Sequence, residues 1–186
     1  FFAGFIRNSN ILTINESYLA YLHEFLVPAV GNNSHWLLCY RASLHGWEGE
    51  DFHTRCDGKK YTVTVIKKNQ YVFGGYTDVP WDDDPYEGYR KTDKAFIYSL
   101  ENKEGLAPFK SMVKHGSQAI YMGISYGPTF GGGHDIHIAN NAGHNAHSYT
   151  NFGHSFLAPS EVKEKVTVLT GTYYFTPDEV EVFYLP

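Results

Sequence analysis

The chain is expected to be mainly β, of the α+β kind: two antiparallel sheets packed as a sandwich, with a few helices at its periphery. Three observations lead there. Short aromatic and β-branched runs succeed one another with turn residues between them and no long helix intervening, which suits an antiparallel sandwich better than a parallel sheet. Aromatic residues reach 17%, carried largely by 15 Tyr and 13 Phe, and these residue types favour strands. The 18 Gly supply the tight turns that such a succession needs. With 186 residues, 42% hydrophobic and 19% charged, there is enough apolar material for one sizeable core and no signature of disorder.

Residues 1–10 read as an N-terminal extension and 11–186 as a single domain. Thr13 and Glu16 have the spacing of a capping box. Tyr18, Leu19, Leu22, Phe25 and Leu26 then form one apolar stripe at helical spacing, and Pro28 is expected to close that helix. Trp36–Ala42 reads as a buried strand, and Trp47–Cys56 as a second short helix stopped by Gly58. Tyr61–Lys67 is β-branched and alternating. Lys68-Asn69 would turn it into Gln70–Phe73 as a hairpin. Pro80–Gly88 reads as a long loop. Strand patterns resume at 95–100, 118–123, 135–139, 166–175 and 180–185. No internal repeat and no linker divides the chain.

The net charge of -5 provides no basic patch for nucleic acid and no electrostatic draw to an anionic membrane. No apolar run approaches the roughly 20 residues of a membrane-spanning helix. The apolar opening Phe1–Ile6 is too short for a signal-peptide core. Of the two cysteines, Cys39 lies in a strand-like run and Cys56 ends the second helix. A disulfide is possible, but a reduced, partly buried pair is the expected state. Sequons for N-glycosylation begin at Asn15 and Asn32 and matter only to a secreted protein.

Three blocks in order carry a family resemblance. The first is Leu38–Ser43 with Phe52-His53 and Cys56-Asp57-Gly58. The second is Thr62–Ile66, Tyr71–Tyr76 and Val79-Pro80-Trp81, then Ala95–Leu100. The third is Tyr126–Ile136, with Glu181-Val182 near the end. Together they resemble the TLDc domain of the oxidation-resistance and nuclear-receptor-coactivator group, from about Ile11 to the C-terminus. The resemblance implies a two-sheet β-sandwich, roles in oxidative-stress protection and, for several members, binding to and regulation of the vacuolar proton-pumping ATPase. It brings no accepted reaction and no cofactor. The expected setting is cytoplasmic or on an organelle surface, with secretion as the alternative.

Several residue groups offer chemistry. His134, Asp135 and His137 supply imidazole and carboxylate ligands of the kind zinc takes, but on a strand residues 134 and 137 point to opposite faces. Further histidines at 144, 147 and 154 are expected on loops. Asp82, Asp83 and Asp84, with Asp78 and Glu87, supply hard oxygens suited to calcium but lack the spacing of an EF-hand loop. Gly131–Gly133 lacks the following helix and the lysine of a nucleotide loop. His53 and Cys56, three apart on a helix, could pair as a base and a thiol nucleophile. Asp57, Gly74, Gly75, Trp81, Gly132, Gly133 and His134 are the interaction candidates. All but Asp57 fall in the 74–89 loop or the 131–154 stretch, the two regions that would present a binding surface. The leading expectation is a non-catalytic protein-binding module. The alternatives are a metal- or ligand-binding protein and a thiol-based antioxidant enzyme.

Overall fold

A computed structural model describes residues 5–82 and 85–186. The first sheet runs, in spatial order, β1 (Leu37–Arg41), β12 (Glu179–Tyr184), β2 (Thr62–Lys68), β3 (Tyr71–Thr77), β5 (Phe96–Glu101) and β6 (Phe109–Met112). The second runs β11 (Tyr174–Phe175), β10 (Ser148–Tyr149), β9 (Ile136–His137), β8 (Thr129–Phe130), β7 (Ile120–Met122) and β4 (Gly88–Arg90). Every named pairing is antiparallel. Among the described residues there are three α-helices, α1 (Glu16–Val30), α2 (Ala42–His45) and α3 (Gly49–Cys56), besides short 3-10 turns. None is long and apolar enough to cross a membrane.

Two apolar clusters define the layers. Ile66, Phe73, Ile97, Val180 and Val182 of the first sheet meet Ile120, Phe130, Ile136 and Phe175 of the second, forming the core between the sheets. The opposite face of the first sheet, with Val63, Val65, Val72, Phe96, Tyr98 and Phe183, is covered by Tyr18, Leu22 and Leu26 of α1. Phe5 and Ile6 are buried in that outer cluster, and Ile6 bridges to Trp36, so the described part of the N-terminal stretch is packed against the domain. Each sheet therefore buries one face in the common core, and α1 closes the far side of the first.

The predicted strands at 36–42, 61–67, 95–100 and 180–185 are present within a residue at most boundaries. Several local expectations need correction. Asn15, not Thr13, caps α1: its Oδ1 accepts from the Ser17 amide at 3.0 Å. Thr13 instead donates to the Ser9 carbonyl in a preceding 3-10 turn. Pro28 lies on the exposed side of α1, which stays helical to Val30 and ends at Gly31, a residue in the left-handed region. The α3 helix starts at Gly49, because Glu48 and Asp51 form a reciprocal capping box there. The hairpin turn is Asn69-Gln70, one residue later than expected, with Asn69 at φ 52°. Residues 166–173 turn back on themselves, so only Tyr174–Phe175 of that run is strand.

The cysteines also depart from expectation. Cys39 and Cys56 form a disulfide, with Cα atoms 5.4 Å apart. The chain from β1 through α2 and α3 doubles back, which brings the last residue of α3 against the middle of β1. A separation of 17 residues gives no sign of that contact in the sequence.

Candidate functional site

Side chains alternate across a strand, so the inward row of the second sheet fixes the opposite one. Ile120, Phe130, Ile136 and Phe175 point into the core. The opposite row crosses all six strands in register: Tyr89 pairs with Tyr121, Tyr121 with Thr129, Thr129 with His137, His137 with Tyr149, and Tyr149 with Tyr174. Tyr126, His134 and Tyr173 join from adjoining turns. The rings touch without a break. Centroids lie 5.0 Å apart for Tyr89 and Tyr121, 5.0 Å for Tyr121 and His134, 5.5 Å for His134 and His137, and 5.0 Å for His137 and Tyr149. Tyr149 then stacks on Tyr173 at 5.4 Å. Tyr174 is 61% exposed and Tyr89 36%, while the central rings are half-buried.

The hydrogen bonds set the polarity of this face. The Thr129 hydroxyl donates to the Gly127 carbonyl, so it accepts from His137, which therefore carries its proton on Nδ1. His134 Nδ1 faces the Gly131 carbonyl, an acceptor only, and must also be protonated. Each ring is left with an Nε2 lone pair, for which no protein partner is found among the described residues. Burial lowers the His134 pKa, offset in part by that carbonyl. Burial and the neighbouring His134 lower His137 to about 4. Burial raises Tyr121 and Tyr149 to about 12, reinforced by Glu87 and the nearby phenols for Tyr121 and by surrounding tyrosines for Tyr149. At neutral pH His134, His137, Tyr121 and Tyr149 are thus uncharged, with phenol donors beside imidazole acceptors.

His134 and His137 were expected on opposite faces, and they are not. His134 precedes the strand in a turn, at φ 58°, and this turns its ring onto the His137 side. Asp135 does not join them. It is buried, and its carboxylate accepts from the amides of Gly153, Ser155 and Phe156, which anchors the 131–135 turn. Burial outweighs those bonds and raises its pKa to about 6. Gly131 and Gly133 take positive φ in the same turn, and the Gly132 amide donates to Ser155 Oγ. Among the described residues, no group of three or more His, Cys, Asp or Glu side chains is placed to hold a metal.

The other sequence candidates have structural work. Cys56 is a fully buried disulfide partner and cannot act as a free thiol nucleophile. His53 is aimed elsewhere: Nδ1 meets Asp57 at 2.8 Å, and Nε2 faces the carbonyls of Gly123 and Tyr126. Burial pulls this imidazole down, but Asp57 and the two carbonyls outweigh it and leave the pKa raised. Asp57 therefore helps to fix α3 against the turn after β7.

Trp81, expected at an interaction surface, is fully buried against Phe52 and Phe130, with its indole N–H on Thr62. Gly74 and Gly75 belong to β3 and not to a loop. A side chain on Gly74 would strike the Thr64 carbonyl, and one on Gly75 the Phe130 ring. Asp82 pairs with Arg90 at 2.9 Å. Asp83 and Asp84 lie outside the described residues. Arg41 pairs with the buried Glu181 at 2.9 Å, tying β1 to β12.

Sequence reasoning missed the tyrosines at 89, 121, 126, 149, 173 and 174 as a set. The strands that carry Tyr89, Tyr121, Tyr149 and Tyr174 are two or three residues long, too short for alternation to register, and Tyr126 and Tyr173 lie in turns.

These features define a class: a two-sheet antiparallel sandwich with one outer face under a helix and the other carrying an uncharged tyrosine–histidine row. The chain belongs to the TLDc domain family, whose model matches residues 6–186. No individually curated protein matched it.

Proposed function

We propose that this TLDc domain is a recognition module without a reaction of its own, and that it binds through the outer face of its second sheet. The observation that carries the reading is the unbroken register row from Tyr89 to Tyr174. Tyrosine combines large, conformationally restricted contact area with a polar tip, the composition typical of binding surfaces. A rigid sheet holds these rings in place, so little ordering cost accompanies binding. The family resemblance makes the vacuolar proton-pumping ATPase the partner to test first, with oxidant resistance and organelle acidification as cellular readouts. Co-purification with the intact pump or its peripheral sector is the test. The Tyr149→Ala/Tyr174→Ala variant should weaken capture more than about tenfold, the scale of losing one central aromatic anchor. Absence of binding by the unaltered protein removes the pump as partner.

The Cys39–Cys56 disulfide favours a second reading, a ligand- or metal-binding TLDc protein working in an oxidising compartment. The paired His134 and His137 suit zinc better than calcium, since imidazole nitrogen is a poor ligand for the harder ion. Elemental analysis and thermal shift with zinc and calcium test it. No retained metal and no stabilisation would remove the metal-binding form.

A further inference from the structure

We propose that the chain is N-glycosylated at Asn15 and Asn32, the two ends of α1, so that glycans mark the helix-covered side of the sandwich and leave the tyrosine–histidine face bare. The proposal builds on the second reading above, in which the domain works in an oxidising compartment.

Two independent features converge. The first is the disulfide. Joining two thiols requires the loss of two electrons and two protons to a disulfide-donating oxidant, and compartments that supply one are those of the secretory route and beyond. Cys39 and Cys56 are both buried, which places the bond within the core. The second is the placement of the sequons Asn15-Glu16-Ser17 and Asn32-Asn33-Ser34. Both asparagines are exposed.

Local geometry suits the modification at each position. Asn15 caps α1 through Oδ1, which accepts from the Ser17 amide at 3.0 Å and the Ser17 hydroxyl at 2.8 Å. The glycan would form on the other arm of the amide, Nδ2, so that modification and helix cap coexist. Asn32 follows the helix end in an exposed turn, where its carbonyl, not its side chain, faces His23. The neighbouring Gly31 has no other atom within 4 Å of where a Cβ would stand, so the turn is open to a bulky group. In the transfer, Asn Nδ2 attacks the anomeric carbon of a lipid-pyrophosphate-linked oligosaccharide. The new N–C bond replaces the C–O bond to phosphate, the lipid pyrophosphate leaves, and Nδ2 gives up a proton.

The two positions flank a helix of 15 residues, about 22 Å long at about 1.5 Å per residue. That helix lies on the outer face of the first sheet, while the tyrosine row lies on the outer face of the second. The common core separates them. Glycans on this side would hydrate the α1 layer and exclude it from contacts, and would leave the second sheet free to bind.

The test is to produce the full-length protein, with its own N-terminal sequence, in a eukaryotic host. Peptide N-glycosidase treatment in heavy-oxygen water, followed by mass spectrometry, then reads each site. Asn15 and Asn32 should both convert to labelled Asp, and a non-reducing digest should yield the Cys39–Cys56 linked peptide. The Ser17→Ala and Ser34→Ala variants remove the sequons but keep both asparagines, and each should abolish labelling at its own site even if Asn→Gln exchange at Asn15 harms folding. Unmodified Asn15 and Asn32 peptides, or freely alkylated Cys39 and Cys56, overturn the proposal whatever the tyrosine face binds. Occupied sites would confirm it. Loss of ligand binding by the row would count only against the recognition reading.

Discussion

Glu181 lies within β12 with no exposed surface, and its carboxylate gathers the Arg41 guanidinium, the Ser9 hydroxyl and the Asn10 amide. Removing one side of such a cluster strands the rest in a poorly solvated place, so Glu181→Ala should cost about 3–5 kcal/mol of stability. Urea unfolding measures this, and a loss below about 1 kcal/mol would show that the cluster is solvated. His137 makes a different prediction. Its folded pKa of about 4 lies below the ordinary 6.5, so between those values the unfolded chain binds more protons than the folded one. The stability that His137 contributes should therefore be full above pH 6.5 and fall as the solution is acidified toward pH 4, by up to about 2 kcal/mol at pH 5, against the opposite slope of Asp135 and His53, whose raised pKa values favour the folded chain in acid. The groups around the ring, Tyr126, Tyr149, His134 and Thr129, offer no carboxylate to compensate the new charge. The melting temperature of His137→Gln should therefore rise relative to that of the unaltered protein as pH falls from about 6.5 toward 4, since His134, Asp135 and His53 titrate in both. An unchanged slope would place the titration elsewhere. At this scale the sequence marks the two histidines as chemistry but misjudges their geometry, because one residue in the left-handed region undoes the strict alternation that a strand reading assumes.

The elements most legible in the sequence are those whose pattern outlasts one turn of the chain. Tyr61–Lys67 and the C-terminal Val180, Val182 and Tyr184 alternate over six or seven residues, and both are strands that sit side by side in the first sheet. The α1 stripe of Tyr18, Leu22 and Leu26 is likewise readable, since four helical turns repeat the signal. The second sheet is the reverse case. Four of its strands have two residues, and their pairing is set by cross-strand contacts and by turns such as 131–135 that Asp135 anchors. Distance along the chain hid the disulfide in the same way. That bond joins α3 to β1 across 17 residues, and closing such a loop is worth about 3 kcal/mol. Reduction, or a Cys39→Ala/Cys56→Ala exchange, should lower stability by about that amount in thermal or urea melts. A loss below about 1 kcal/mol would mean that the packing of Phe52, Trp81 and Tyr40 holds α3 in place unaided. At Gly75, Ala would set its Cβ 2.6 Å from the Phe130 ring between the sheets, and overpacking there should cost about 1–3 kcal/mol.

The molecule as a whole is asymmetric: α1 seals one outer face, and the other ends in rings that carry no charge although the chain bears -5. That contrast makes the binding face identifiable without knowing the ligand in advance. Association driven by the acidic 78–87 loop would weaken steeply as salt rises, because exposed charges are screened over about 10 Å at 0.1 M and about 3 Å at 1 M. Association through the row from Tyr89 to Tyr174 depends on buried aromatic area and on neutral donors and acceptors, which salt hardly alters. Affinity for any authentic ligand should therefore change less than about threefold between about 0.1 M and about 1 M salt. Acidification toward pH 4 should weaken it, as His137 acquires a charge beside His134. Hydrogen exchange in the complex should show protection at β7, β9 and β10 and none along α1. Isothermal titration at the two salt concentrations reads the first outcome directly. A loss of more than about tenfold in high salt, with protection confined to the acidic loop, would move the site off the second sheet and leave the tyrosine row a packing feature.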